Sequence, residues 1–122
     1  MIFDLPYPPT VNTYWRANGN RRFISAAGKK FREAAFKIIK AADVIQIEGD
    51  CRVDVDLYLP DRRKRDIDNI LKPILDILQL AGVIKDDCQV QELTVARLGL
   101  EKGGRARVKI QKNATANAPE AK

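Results

Sequence analysis

Three aspartates and one lysine are the side chains of this sequence best suited to chemistry on a phosphodiester. Asp66 and Asp68 stand at the entry of a predicted helix, Lys72 follows one turn later on the same face as Asp68, and Asp87 lies in the turn after that helix. Clustered carboxylates repel one another, so they need protons or a cation, and Mg²⁺ prefers oxygen ligands. A metal held there would polarise a phosphate, and Lys72 would stabilise the charge that develops on it.

The same residues also have a purely structural interpretation. An Asp-x-Asp pair at a helix entry often caps the helix and interacts with its dipole, and Lys72 could simply pair with Asp68 four residues earlier. A second Asp-x-Asp pair, Asp54 and Asp56, lies on a predicted strand. Convergence of Asp87 with Asp66 and Asp68 requires the fold to bring the turn back. Spacing alone leaves both interpretations open.

Two groups of cations surround these acids and predict contacts with nucleic acid. The first group runs directly into Asp66 and consists of Arg62, Arg63, Lys64 and Arg65. The second group, Arg16, Arg21 and Arg22, alternates with aromatic residues around the turn signal Asn18-Gly19. Aromatic rings stack on bases and guanidinium groups reach phosphates, so this loop is interpreted as a nucleic-acid-binding flap. A hairpin that buries two aromatic residues is the alternative.

The composition restricts the class of protein. The 122 residues fit one domain, and 22 Lys and Arg against 16 Asp and Glu give a net charge of +6, which favours an anionic partner. No apolar run approaches the roughly 20 residues needed to span a bilayer, and no signal-peptide pattern follows Met1, so a cytoplasmic protein without a membrane association is expected. The chain contains no histidine, which excludes histidine bases and histidine-ligated metals. Cys51 and Cys88 predict neither a disulfide nor a zinc site.

Hydrophobic periodicity predicts an α+β fold in which two main helices pack on a mixed sheet. The order is strand, helix, strand, helix, strand, strand. The first helix is predicted at 26–42 with Ser25 as its N-cap, and a strictly alternating strand follows at 51–60. The turn 102–105 predicts a hairpin between the last two strands.

Two segments of the chain depart from this regular pattern. Pro73 falls inside the second predicted helix, so it should either kink that helix or move its first turn later. Residues 113–122 show no apolar period and are predicted to be a disordered C-terminal tail after a domain at 1–112.

The segment "PDRRKRDIDNILKPILDILQLAGVIKDDCQV", together with "PYPPTVN" near the start and "KGGR" near the end, resembles the RusA family of Holliday junction resolvases, which are mostly bacterial or prophage-encoded. The likeness extends from about residue 4 to residue 110 with the motifs in the same order. It implies a RusA-like fold and a homodimeric, Mg²⁺-dependent endonuclease, with Mn²⁺ as a substitute ion. Its substrate would be a four-way DNA junction cut by paired symmetric incisions.

The resemblance also assigns roles to individual residues. It implies that Asp66, Asp68 and Asp87 are catalytic metal ligands, that Lys72 is catalytic, and that the basic run 62–65 contacts DNA. Pro73 departs from the family pattern, which has a small residue there.

Two other interpretations of the sequence remain. A PD-(D/E)xK nuclease fits poorly, because Ile70 occupies the position where that motif needs an acid. A basic DNA-binding module without catalysis, in which the aspartates cap and pair, is the alternative from a different class.

Overall fold

The computed structural model describes residues 1–113 and confirms the α+β class. It contains six strands, three α-helices and two short 3₁₀ helices. The strands are β1 (Ile2–Leu5), β2 (Trp15–Asn18), β3 (Arg21–Ile24), β4 (Cys51–Leu59), β5 (Val90–Leu100) and β6 (Arg105–Lys112). The α-helices are α1 (Val11–Tyr14), α2 (Ala26–Ala41) and α3 (Leu71–Leu80), and the 3₁₀ helices span Ile67–Ile70 and Asp87–Gln89.

The main sheet is mixed and has the strand order β1-β6-β4-β5. Strand β4 pairs in parallel with β5 and antiparallel with β6. The predicted hairpin between the last two strands is therefore wrong, because β6 crosses to the other side of β4 and inserts between β4 and β1. Ala106, Val108 and Ile110 of β6 are fully buried, whereas β5 has no buried residue. The strand whose apolar face is fully buried occupies the interior of the sheet, and β5 forms an edge.

The core lies on one face of this sheet. Val53, Val55 and Leu57 of β4 alternate with half-exposed polar residues and are completely buried, as the strand pattern predicts. Ile39 from α2 and Ile74 from α3 are among the helical residues buried in the same cluster. Fully burying one such side chain contributes about 1.5–3 kcal/mol to folding. This packing fixes α3, and with it Lys72, against the sheet.

Pro73 delays the start of the second main helix, which is one of the two predicted outcomes. Residues 67–70 form a 3₁₀ helix, and α3 begins only at Leu71. Pro73 is then in the first turn of α3. Backbone N–H groups there have no carbonyl partner within the helix, so the lack of an N–H in proline removes no helical hydrogen bond. The proline is also buried, so it contributes to the core.

The N-terminal segment folds as a separate two-stranded hairpin. Strands β2 and β3 pair antiparallel, and Tyr14 before them is buried, whereas Phe23 is exposed. The predicted N-cap is confirmed, because the Ser25 side chain accepts a hydrogen bond from the Gly28 N–H at 3.0 Å. A Cβ on Gly28 would lie 2.7 Å from the Tyr14 carbonyl oxygen, so only glycine permits α2 to pack this closely on α1.

None of the described helices has the length and apolar character needed to cross a lipid bilayer. Asn113, the first residue of the predicted tail, is buried and donates its backbone N–H to the Asp50 carbonyl at 2.9 Å. The remainder of that predicted tail, 114–122, lies outside the described residues.

Candidate active site

Asp66 and Asp68 are exposed and carry no structural role that the described residues reveal. Asp66 occupies the N-cap position of the 3₁₀ helix Ile67–Ile70, but its side chain accepts no capping hydrogen bond. Helix α3 likewise begins without a side-chain cap. Within residues 1–113 no cation lies in ion-pair range of Asp68, and Lys72 pairs elsewhere. The capping interpretation of these two acids therefore finds no support in the geometry.

Lys72 lies between two carboxylates. Its Nζ is 3.1 Å from Asp76 Oδ1, one turn later on α3, and 3.7 Å from Asp87 Oδ2, in the turn after the helix. The fold thus brings Asp87 to α3 beside Lys72, whereas the predicted convergence of Asp87 with Asp66 and Asp68 is not seen among residues 1–113. Asp76 first, and Asp87 second, raise the pKa of the Lys72 ammonium group. Lys72 is therefore a cation at neutral pH, with its side chain about half exposed.

Two glutamines fix the position of the turn that carries Asp87. Gln79, on the same side of α3 as Lys72, accepts a hydrogen bond from the Asp87 backbone N–H at 3.0 Å. Gln89 accepts from the N–H groups of Lys85 and Asp86, and its own amide donates to two carbonyls of the loop before β4. Asp86 caps the short 3₁₀ helix by accepting from the Cys88 N–H. Asp86 is therefore a structural residue, and Asp87 is the acid presented to Lys72.

The acids do not form a preassembled metal centre in the described part of the chain. In residues 1–113 no three side chains of the metal-binding types lie close enough to hold one ion. The carboxylate oxygens of Asp66, Asp68 and Asp87 have the donor chemistry that Mg²⁺ requires. Of these three acids, Asp87 has a cation beside it, since its Oδ2 lies 3.7 Å from Lys72 Nζ.

In the basic loop before Asp66, some cations pair with Asp61 and others have no acid partner among the described residues. Asp61 organises the loop by accepting from the Arg65 guanidinium at 2.7 Å and from the Arg63 backbone N–H at 2.9 Å. The bond from Arg65, followed by that from Arg63, lowers the pKa of Asp61 to about 2, so this carboxylate stays ionised at neutral pH. Within the described residues no acid pairs with Arg62 or Lys64. Those two exposed side chains are the cations of the loop that remain available to a phosphate.

The cations of the predicted flap lie on the β2–β3 hairpin. Arg16 and Arg21 are exposed, and the Arg22 guanidinium stacks over the Trp15 ring at 5.0 Å from its centroid. The segment forms a hairpin, but it does not bury two aromatic residues as the alternative interpretation expected. Only Tyr14 is fully buried, and Phe23 and the arginines lie at the surface. Among the described residues, none of the hairpin arginines pairs with the acids of the candidate site.

The second Asp-x-Asp pair, Asp54 and Asp56, lies on the face of the sheet opposite the core. Asp54 and Asp56 alternate with the buried residues of β4, and Asp54 accepts two hydrogen bonds from Arg52, the shorter at 3.1 Å. Asp54 is therefore a paired acid, unlike Asp66 and Asp68.

Sequence reasoning gave no role to Asp76, Gln79 and Arg97, which the structure places at or beside the acids. Asp76 and Gln79 share the face of α3 that carries Lys72, so their spacing was a usable signal. Asn69 and Arg97 line a surface pocket together with Asp66. Arg97 lies on β5, about thirty residues further along the chain, and no local pattern could have indicated its position.

Comparison with known proteins identifies the family of this chain. The family described as "Endodeoxyribonuclease RusA" matches residues 6–111. The chain is 43% identical over 109 residues to "Crossover junction endodeoxyribonuclease rusA" of Enterobacteria phage HK97, which covers 88% of this chain and 91% of that protein. It is 38% identical over 107 residues to the protein of that name from Escherichia coli strain K12, covering 87% and 89%. The matched residues include every aspartate and the lysine discussed above. The chain therefore belongs to the RusA family of endodeoxyribonucleases.

Proposed function

We propose that this protein is a Holliday junction resolvase, an endonuclease that cuts four-way DNA junctions by paired, symmetric phosphodiester hydrolysis in recombination and repair. The family match over residues 6–111 carries the proposal, because it spans the whole acidic and basic site. The relatives named above are crossover junction endodeoxyribonucleases from a bacteriophage and a bacterium. We further propose that the protein acts in the bacterial cytoplasm, where such a DNA substrate is found.

The residues of the site divide the work between binding and chemistry. Arg62 and Lys64, which have no acid partner among residues 1–113, would neutralise backbone phosphates. The Lys72 ammonium group would stabilise the negative charge that develops on the scissile phosphate. Asp66 and Asp68 would hold the metal ion through their carboxylate oxygens, since neither side chain caps a helix or pairs with a cation among residues 1–113.

Mg²⁺, with Mn²⁺ as a substitute, is the proposed cofactor because the site offers carboxylate oxygens and the chain has no histidine. When bound, such an ion supplies an activated water and a polarised phosphate.

The proposed activity predicts cutting of a synthetic four-way junction in Mg²⁺ and none in EDTA. Linear duplexes with the same arm sequences serve as controls and should stay intact under both conditions. Products mapped on all strands should show two nicks at symmetric positions, each with a 5′-phosphate and a 3′-hydroxyl. Equal cutting of junction and duplex, or cutting that persists in EDTA, would contradict the proposal.

A DNA-binding module without catalysis is the second candidate, favoured only by the basic surface. Such a module would shift the junction in a gel with or without Mg²⁺ and would never nick it. The assay above therefore separates the two candidates.

The protein is further proposed to act as a homodimer. Two incisions at symmetric positions need two copies of the site related by a two-fold axis. Strand β5 is a suitable surface for the second copy. It is an eleven-residue sheet edge without a buried residue, and its Leu93, Leu98 and Leu100 are 40–54% exposed.

Sedimentation at assay concentrations should therefore reveal a species of twice the 13.7 kDa chain mass. Replacing Leu98 with Glu should shift that species towards the monomer, because it places a charge on the exposed edge of β5. A fully active protein that sediments only at 13.7 kDa would contradict the dimer.

A further inference from the structure

A surface pocket of about 510 Å³ lies beside Asp66 and brings together parts of the chain that are distant in sequence. Its walls come from the end of the proline-rich segment (residues 6–10), the basic loop, the 3₁₀ helix Ile67–Ile70 and strand β5. The lining residues are Thr10, Lys64, Arg65, Asp66, Asn69 and Arg97. We refer to it as the β5 pocket.

The charges of the β5 pocket favour an anion. Three cations line it against one acid, Asp66, and within the described residues neither Lys64 nor Arg97 has an acid in ion-pair range. The Arg65 charge is shared with Asp61, which lies outside the lining. The arginines of the other sheet face differ in this respect, since Arg105 and Arg107 both bind Asp4. The pocket thus retains positive charge that the protein itself does not neutralise.

Arg97 is held in place without losing its charge. Its Nη2 donates to the backbone carbonyl of Arg65 at 2.7 Å, which uses one of the five N–H donors of the guanidinium group. A carbonyl does not neutralise a guanidinium, so the remaining donors keep their preference for an anionic oxygen. Asn69 adds a side-chain amide that makes no hydrogen bond within residues 1–113. These groups together are donors suited to a phosphate.

We propose that the β5 pocket binds a backbone phosphate of the DNA strand next to the scissile one, with Arg97 as its main anchor. The proposal rests on the function proposed above, because it takes the cut strand as the ligand. Asp66 is both a wall of the pocket and a member of the acidic pair, so a phosphate held there is adjacent to the reacting one. A phosphate at this place would fix the register of the strand against the acids.

The first test compares junction binding by three variants in EDTA over a range of salt concentrations. Arg97→Gln should lower affinity on the order of tenfold and reduce the slope of log K against log salt by about 0.9, the value for one lost phosphate contact. Arg97→Lys should keep the slope, because the charge remains. Lys109→Gln is the matched control, since it removes an exposed cation from the opposite face of the sheet, and it should leave the slope unchanged.

The salt dependence also separates a phosphate contact from a merely structural role. If Arg97 only braces the carbonyl of Arg65, Arg97→Lys and Arg97→Gln should behave alike and the slope of both should equal that of the wild type. Such a result would overturn the pocket and leave the proposed function intact. A wild-type protein that binds no junction at all would instead refute the proposed function.

The second test locates the phosphate. Single uncharged methylphosphonate linkages are placed one at a time around the cut site, and the affinity of each junction is measured with wild-type protein and Arg97→Gln. One linkage next to the scissile phosphate should weaken wild-type binding but have no further effect on the variant, because both changes remove the same contact. Losses that add at every linkage would refute the pocket.

Discussion

Changing Asp66 or Asp68 to Asn is expected to lower junction cutting on the order of 10²- to 10³-fold while binding is retained, because each carboxylate is a proposed ligand of the ion that stabilises the developing negative charge. Asn preserves the shape of the side chain and removes its charge. Both acids are exposed and neither caps a helix or pairs with a cation in the described residues, so the fold should tolerate the change. Single-turnover cleavage and gel shifts on the same proteins measure the two effects.

Affinity is expected to stay equal or to rise in EDTA. Junction binding comes mainly from Lys and Arg that neutralise phosphates, and an acid beside the DNA path repels them. Asp87→Asn should follow the same pattern in cutting, but it also removes a partner of Lys72. Asp66 and Asp68 therefore give the cleaner result.

Asp54→Asn is the matched control for this prediction. It is the same substitution in the second Asp-x-Asp pair of the chain, on the sheet face opposite the buried residues, where Asp54 pairs with Arg52. We expect cutting close to the wild-type rate. If Asp54→Asn abolished cutting while Asp66→Asn left it intact, the assignment of the two pairs would have to be exchanged.

Most elements of this fold were predictable because local periodicity and capping agree with the tertiary structure. The alternation on β4 and the cap at Ser25 each gave a correct element. Pro73 is informative, since its missing N–H predicted either a kink or a late start of α3, and the structure shows the late start. These features depend on residues close in sequence.

The pairing of the last two strands was not predictable in the same way. Gly103 and Gly104 have positive φ angles and do reverse the chain, as the turn signal indicates. A turn fixes where the chain reverses but leaves open which neighbour the next strand joins. Gly104 approaches the proline-rich segment, where a Cβ would lie 2.8 Å from Tyr7, so its turn packs there. The buried face of β6 then decides its place between β1 and β4.

The contacts of the predicted acidic site were not predictable from sequence. The structure places Asp87 beside Lys72, but within residues 1–113 it does not bring three acids close enough together to hold one ion. The partner of Lys72 could not be chosen from sequence, because Asp68 and Asp76 are both four residues away and helical spacing treats them alike. The structure selects Asp76, which leaves Asp68 available.

Removal of the Lys72 ammonium group, which Asp76 holds on α3, is expected to have the second large effect on cutting. Lys72→Ala should slow cutting about 10²- to 10³-fold, the range for losing one group that stabilises a developing negative charge. Binding should fall less, because one cation among several is lost. Replacing Arg62 and Arg63 together should do the opposite, with weaker binding, a shallower salt dependence and a smaller change in the cutting rate of fully bound junction.

Asp76→Asn tests whether the carboxylate 3.1 Å from Lys72 positions that ammonium group for the reaction. The substitution should slow single-turnover cutting by roughly tenfold with unchanged junction affinity, because Lys72 keeps only its longer contact with Asp87 at 3.7 Å. In a protein that already carries Lys72→Ala, Asp76→Asn should have no further effect on the rate, since residues that act through one another are not additive. Asp76→Glu should recover part of the rate by restoring a carboxylate. A further loss of rate in the Lys72→Ala background would show instead that Asp76 acts on the reaction, or on the fold, independently of Lys72.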